Sequence, residues 1–135
     1  MNTNLGFCLA LHRAHASLQL KLDDELGIYH GISFNDFALL NLLAQADGGR
    51  VSIPARVRPM GQPQSAVLRQ LILLEKIGLV MREGANGDRQ AVLRPAGRAL
   101  VHAARETAES ICTEAVVSIA PAAVDMVSAA LVTLA

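Results

Sequence analysis

The sequence predicts a mainly α-helical chain with a small β-hairpin wing, an α+β arrangement of the winged helix-turn-helix type framed by long terminal helices. Three observations lead there. Apolar residues recur at helical spacing over most of the 135 residues. One stretch, Leu79 to Leu93, instead reads as two short strands around Asn86-Gly87, a dipeptide typical of tight hairpin turns. Finally, nine of the twelve basic side chains fall within residues 50–98 against three acids, so that segment is +6 while 1–49 and 99–135 are each −3. A formal net charge of zero thus hides a polarised molecule. Such a basic segment is the electrostatic footprint of a surface that meets a polyanion, although charge alone equally describes a solvated surface with no partner.

The length suits a single domain spanning 1–135. Hydrophobic residues make up 52% and aromatics 3%, more apolar surface than the helices of one small subunit bury, so burial between subunits is expected. Residues 115–135 come closest to a membrane span, but Pro121 and Asp125 interrupt them, and no membrane partner is expected. The N-terminus lacks the basic-then-apolar order of a secretory signal. Cys8 and Cys112 are too few and too far apart for a disulfide framework, so a cytoplasmic location is expected.

The elements follow in order. Leu5, Cys8, His12, His15, Leu22 and Leu26 share helical spacing, predicting a long first helix from about Asn4 to Leu26, with a break bracketed by Gly27 and Gly31. Ser33 to Asp36 forms a capping box that opens a second helix through Phe37, Leu40 and Ala44 to Gly48-Gly49. Ser52 is expected to cap a short third helix carrying Pro54 in its first turn and ended by Pro59 and Gly61. Pro63 opens a fourth helix with a core stripe of Val67, Leu71 and Leu74, stopped at Gly78. Strands at 79–82 and 90–93 make the hairpin. Pro95 opens a long fifth helix to about Val117, and Pro121 a strongly apolar sixth.

A short helix, a turn, a second helix and a basic hairpin suit DNA. With Val67, Leu71 and Leu74 inward, Gln62, Ser65, Arg69 and Lys76 face outward, and Gln64 lies near the exposed helix start. Arg forks onto guanine, Gln onto adenine, and Ser onto bases or phosphate. Arg89 near the hairpin tip suits the minor groove. Arg56 and Arg58 add basic charge beside the turn.

These residues resemble a family. Leu74-Glu75-Lys76-Ile77-Gly78-Leu79-Val80, then Gly87-Asp88-Arg89, then Pro95-Ala96-Gly97-Arg98-Ala99-Leu100 are similar to the motifs of the multiple-antibiotic-resistance regulator (MarR) family. Gln64 to Arg69 resembles its recognition helix, and His30 to Phe37 its approach to the second helix. The resemblance covers about residues 5–115. It implies a homodimeric transcriptional regulator, with a DNA-binding lobe at 33–98 and a helical dimerisation region at 1–29 and 99–135. It further implies that Asp88 pairs with Arg89 to hold it for DNA. Many members are repressors released when a small aromatic acid binds between the two regions. The expected function is therefore a repressor of a pseudo-palindromic operator relieved by such an effector. The alternative is a winged-helix dimer that has lost DNA binding and serves as a protein-interaction module. Against the family pattern, the wing is about three residues shorter, Arg94 stands where a threonine normally caps the fifth helix, and Gln62 replaces an apolar residue.

Cys8, His12 and His15 fall on one stripe of the first helix. They could pack a dimer seam, line an effector pocket together with Tyr29, or bind zinc with a further ligand such as His102. Cys8 also resembles the peroxide-sensing cysteine of some family members, in surroundings too apolar to favour a thiolate. Packing with a pocket edge is the expected reading; no metal and no cofactor is expected. No catalytic constellation is present in the sequence, so no enzyme activity is expected.

Overall fold

The computed structural model describes residues 2–53, 61–85 and 89–135. In chain order it contains α1 (Thr3–His30), α2 (Phe34–Gln45), a 3-10 turn (Asp47–Gly49), β1 (Arg50–Ser52), α3 (Gln64–Lys76), β2 (Val80–Glu83), β3 (Gln90–Leu93), α4 (Pro95–Ala115) and α5 (Pro121–Val132). The expected short third helix beyond Ser52, with Pro54, Arg56, Arg58 and Pro59, lies outside the described residues, as do the Asn86-Gly87 turn and Asp88. α3 is thus the helix expected as the fourth.

α1 passes straight through Gly27, contrary to the expected break. One glycine in a helix costs only about 1 kcal/mol, and Leu26, fully buried beside it, holds the backbone helical. The helix stops at Gly31 instead. That residue takes the left-handed conformation (φ 70°) and donates to the Gly27 carbonyl, while Ile32 N–H reaches the Leu26 carbonyl. Ser33 and Asp36 form the expected capping box of α2. Pro63 sits in the N-cap position of α3 rather than in its first turn. Arg94 caps α4 without a side-chain hydrogen bond, as the missing hydroxyl implies, and Pro95 opens that helix.

The sheet has three strands, not two, in the order β1-β3-β2 and antiparallel throughout. Ser52 ends β1, where it pairs with Gln90 as Arg50 pairs with Val92, and the chain is helical at Ile53 directly after it, compatible with its expected place as a helix cap. Three residues give too little alternation to mark a strand, and only pairing with β3 creates it.

The core joins all layers. Leu22 and Leu26 of α1 meet Phe37, Leu40 and Leu43 of α2, Val101, Ala104 and Ala108 of α4, the α3 stripe Val67, Leu71 and Leu74, and Val80, Ala91 and Leu93 of the sheet. The ends of the molecule are different. Leu5, Phe7 and Leu9 on the first half of α1 are about half exposed, and α5 has no buried residue. Among the described residues, no helix is long and apolar enough to cross a membrane.

Candidate nucleic-acid interface

α3 is placed by its own amphipathicity. Val67, Leu71 and Leu74 are buried, so residues near the opposite azimuth, Ser65, Arg69 and Lys76, are exposed along one face. Gln64 is exposed in the first turn, on the flank nearer the hairpin. Gln62 is only half-buried; it lines a groove of about 360 Å³ with Arg69 between α3 and the start of α2. The outward face expected from the sequence is therefore present for Ser65, Arg69 and Lys76, with Gln62 turned toward its flank.

The hairpin is fastened to α3 by one carboxylate. Glu75 accepts from the Arg82 backbone N–H and from Arg82 Nε, both at 3.0 Å. The Arg82 backbone N–H, then the Arg82 guanidinium, hold the Glu75 carboxyl below its ordinary value of 4.5, with a further contribution from the charge of Arg89. A carboxylate with a depressed folded-state pKa stabilises the protein above its unfolded pKa and loses that contribution as pH falls through the lower, folded value. In Glu75→Gln, the part of the acid unfolding transition below about pH 4.5 should flatten; a curve identical to wild type would contradict this anchoring. On the other hairpin edge, Arg50 Nη1 donates to Glu83 Oε2 at 3.0 Å and to Gln90 Oε1 at 2.9 Å.

These pairings divide the basic segment. Arg50 and Arg82 are engaged within the fold. Arg94 and Arg98 lie at the start of α4, and β3 carries the chain roughly 15 Å from Arg89 back to that point. Arg89 itself is exposed where β3 begins, and its carbonyl accepts from Ile53 N–H at 3.1 Å. Among the described residues, the cations exposed on α3 and the hairpin are Arg69, Lys76 and Arg89.

A second feature lies between helices. A cleft of about 390 Å³ separates α2 from α4, lined by Phe34, Phe37 and Asn41 on one side and Arg105, Glu109 and Cys112 on the other. The two phenyl rings stack at 6.1 Å with 14° between planes. Arg105 Nη2 donates to Asn41 Oδ1 at 2.8 Å, which holds the guanidinium across the cleft. Burial pushes the Cys112 thiol up, keeping it protonated. None of His12, His15 or Tyr29 lines this cleft: all are exposed on α1, Tyr29 at 70%. The first half of α1 extends beyond the core, so within one chain the Cys8, His12 and His15 stripe faces solvent. Among the described residues, no three His, Cys, Asp or Glu side chains converge as a metal site would require. Arg105 has no motif to mark it, yet it is the only Lys or Arg in residues 99–135 and sits one position past Ala104 of the α4 core stripe.

A MarR family transcriptional regulator from Rhodococcus matches 99% of this chain and 96% of its own at 17% identity, with a TM-score of 0.89. One from Streptomyces coelicolor, solved in complex with DNA, matches 99% of this chain and 87% of its own at 19% identity and a TM-score of 0.86. The fold is that of the MarR family regulators. A MarR family protein from Mycobacterium tuberculosis, in complex with p-aminosalicylic acid, covers 93% of this chain and 95% of its own at 23% identity and a TM-score of 0.70. No protein-family model and no curated protein matches the sequence. At these identities the likeness to MarR regulators is one of fold.

Proposed function

We propose that this chain is a DNA-binding transcriptional regulator that works as a homodimer and represses a pseudo-palindromic operator. The observation that carries the reading is the exposed row Ser65, Arg69 and Lys76 on α3, flanked by Arg89 of a hairpin that Glu75 fastens to the same helix. Each subunit would place α3 in a major groove, about one DNA turn from its partner's. Ser65 and Arg69 would read bases, Lys76 would meet phosphate, and Arg89 would reach the minor groove. Arg56, Arg58 and Asp88 keep the DNA-proximal roles their sequence positions suggest.

Dimerisation is supported by the apolar ends. The exposed side chains of Leu5, Phe7 and Leu9 on α1 and Met126, Val127 and Val132 on α5 are what the region 1–29 with 99–135 would bury against a second copy. The DNA-binding lobe would then be 33–98. An aromatic acid suits the α2–α4 cleft, with its carboxylate on Arg105 and its ring against Phe34 and Phe37. Binding there would favour a dimer whose α3 spacing no longer fits the site, and linkage requires effector and DNA to weaken each other equally. His12, His15 and Tyr29 would contribute to that cleft only from the other subunit.

A gel shift with the DNA upstream of the chain's own gene tests the proposal. Specific retardation is expected, with log affinity falling linearly as log salt rises. Arg89→Ala should weaken operator and random DNA about equally, because it removes a contact that reads shape and charge more than sequence. The protein-module alternative has one observation in its favour: Leu73 and Ile77, at 62% and 63% exposure, lie along the α3 flank. No retardation of any duplex would favour that alternative.

A further inference from the structure

Gln70 follows Arg69 on α3 but turns sideways, and its Nε2 donates to Asp36 Oδ1 at 2.9 Å. Asp36 is also the capping-box residue of α2: its Oδ2 accepts the Ser33 N–H at 3.2 Å, and its own N–H reaches Ser33 Oγ at 3.0 Å. One carboxylate thus caps α2 and grips α3. An ionised carboxylate offers only acceptors, so the Gln70 amide must present its NH2 group to it. That orientation leaves Gln70 Oε1 buried with no donor among the described residues. A buried polar atom left unsatisfied is costly, and a leucine of similar size would avoid the cost. Gln70 is therefore a poor choice for stability alone.

We infer that the Gln70–Asp36 hydrogen bond is a positioning contact that sets the rotation and height of α3 against α2, and so the register in which Arg69 and Ser65 meet bases. The inference rests on the reading of α3 as the helix that faces DNA. The apolar stripe Val67, Leu71 and Leu74 holds α3 down, but apolar packing is non-directional and tolerates small rotations. A hydrogen bond to a charged acceptor is directional, and partly buried polar pairs are best attested in fixing registry. The bond sits beside the groove shared by Arg69, Gln62 and Ser33, so a rotation released there displaces the guanidinium directly.

The test uses the full chain and a duplex selected from a random pool by the wild-type protein, with affinity measured against an unselected duplex. Gln70→Leu should lower the selected-to-unselected ratio about tenfold, the size of one lost charged hydrogen bond, while its melting temperature stays equal or rises. Gln70→Glu, which sets two carboxylates together, should lose at least as much. Asp36→Asn combined with Gln70→Glu reverses the bond: the new amide at 36 keeps an oxygen for Ser33 and donates to the new carboxylate at 70. It also restores the wild-type net charge, so the ratio should recover to within about threefold, a residue of under 1 kcal/mol. A wild-type ratio in Gln70→Leu, or no recovery in the double variant, overturns the positioning role. A wild-type protein that selects no sequence at all instead overturns the reading of α3.

Discussion

Gly97→Ala is expected to destabilise the protein by roughly 3 kcal/mol, lowering the melting temperature by about 10 °C. The reason is a backbone-to-backbone approach. A Cβ at Gly97 would collide with the Leu79 carbonyl oxygen and stand 2.7 Å from Leu93 Cδ1. That carbonyl is already in use, accepting the Arg94 N–H at 3.0 Å, so it cannot turn away without breaking the joint between hairpin and α4. Gly27→Ala is the control of opposite sign. Its Cβ would meet nothing within 4 Å, inside a helix, so the substitution should stabilise by up to about 1 kcal/mol. Thermal unfolding of the two variants beside wild type decides the matter; a shift of less than about 0.5 kcal/mol for Gly97→Ala, the scale of an ordinary surface change, would contradict the close approach.

The second large effect concerns the ends of the chain. Removing residues 119–135 should give aggregates or an unstable monomer. α5 buries no residue within its own subunit, while Met126 is 71% and Val132 75% exposed, so its apolar surface has no partner in one chain. In the proposed dimer, its loss would also uncover the sides of α1 and α4 that meet the second copy. Light scattering on the full chain should show a dimer. A soluble, stable monomer of the truncated protein would contradict the role proposed for the terminal helices.

How much of this was legible in the sequence depended on whether the signal was local. Ser33 and Asp36, Pro95 and Pro121, and the Val67, Leu71 and Leu74 stripe mark their helices because caps and amphipathic faces are written in neighbouring residues. The failures were non-local. β1 exists only through pairing with β3, and nothing in Arg50-Val51-Ser52 announces that partner. Gly27 looked like a break because glycine is a poor helix former, but the anchoring of Leu26 outweighed the propensity. The Cys8, His12 and His15 stripe, expected to pack a dimer seam with a pocket edge, faces solvent within one chain, and no neighbouring residue announces what would cover it. The outward face of α3 followed from its stripe. The sharing of Asp36 between a cap and Gln70, and the Arg105–Asn41 contact, join residues more than thirty positions apart and required coordinates.

On the proposed function, the exposed face of α3 reads bases. Competition binding of wild type and Arg69→Ala to the upstream duplex and to a random duplex, across a salt series, tests it most directly. Wild type should prefer the upstream duplex by about a thousandfold or more. Arg69→Ala should weaken operator binding by roughly 1–3 kcal/mol more than random binding, at every salt concentration, because the loss is of base contacts as well as charge. Equal losses on both duplexes would reduce Arg69 to a phosphate contact, and a wild-type protein indifferent to sequence would contradict the account of α3 as a reading helix.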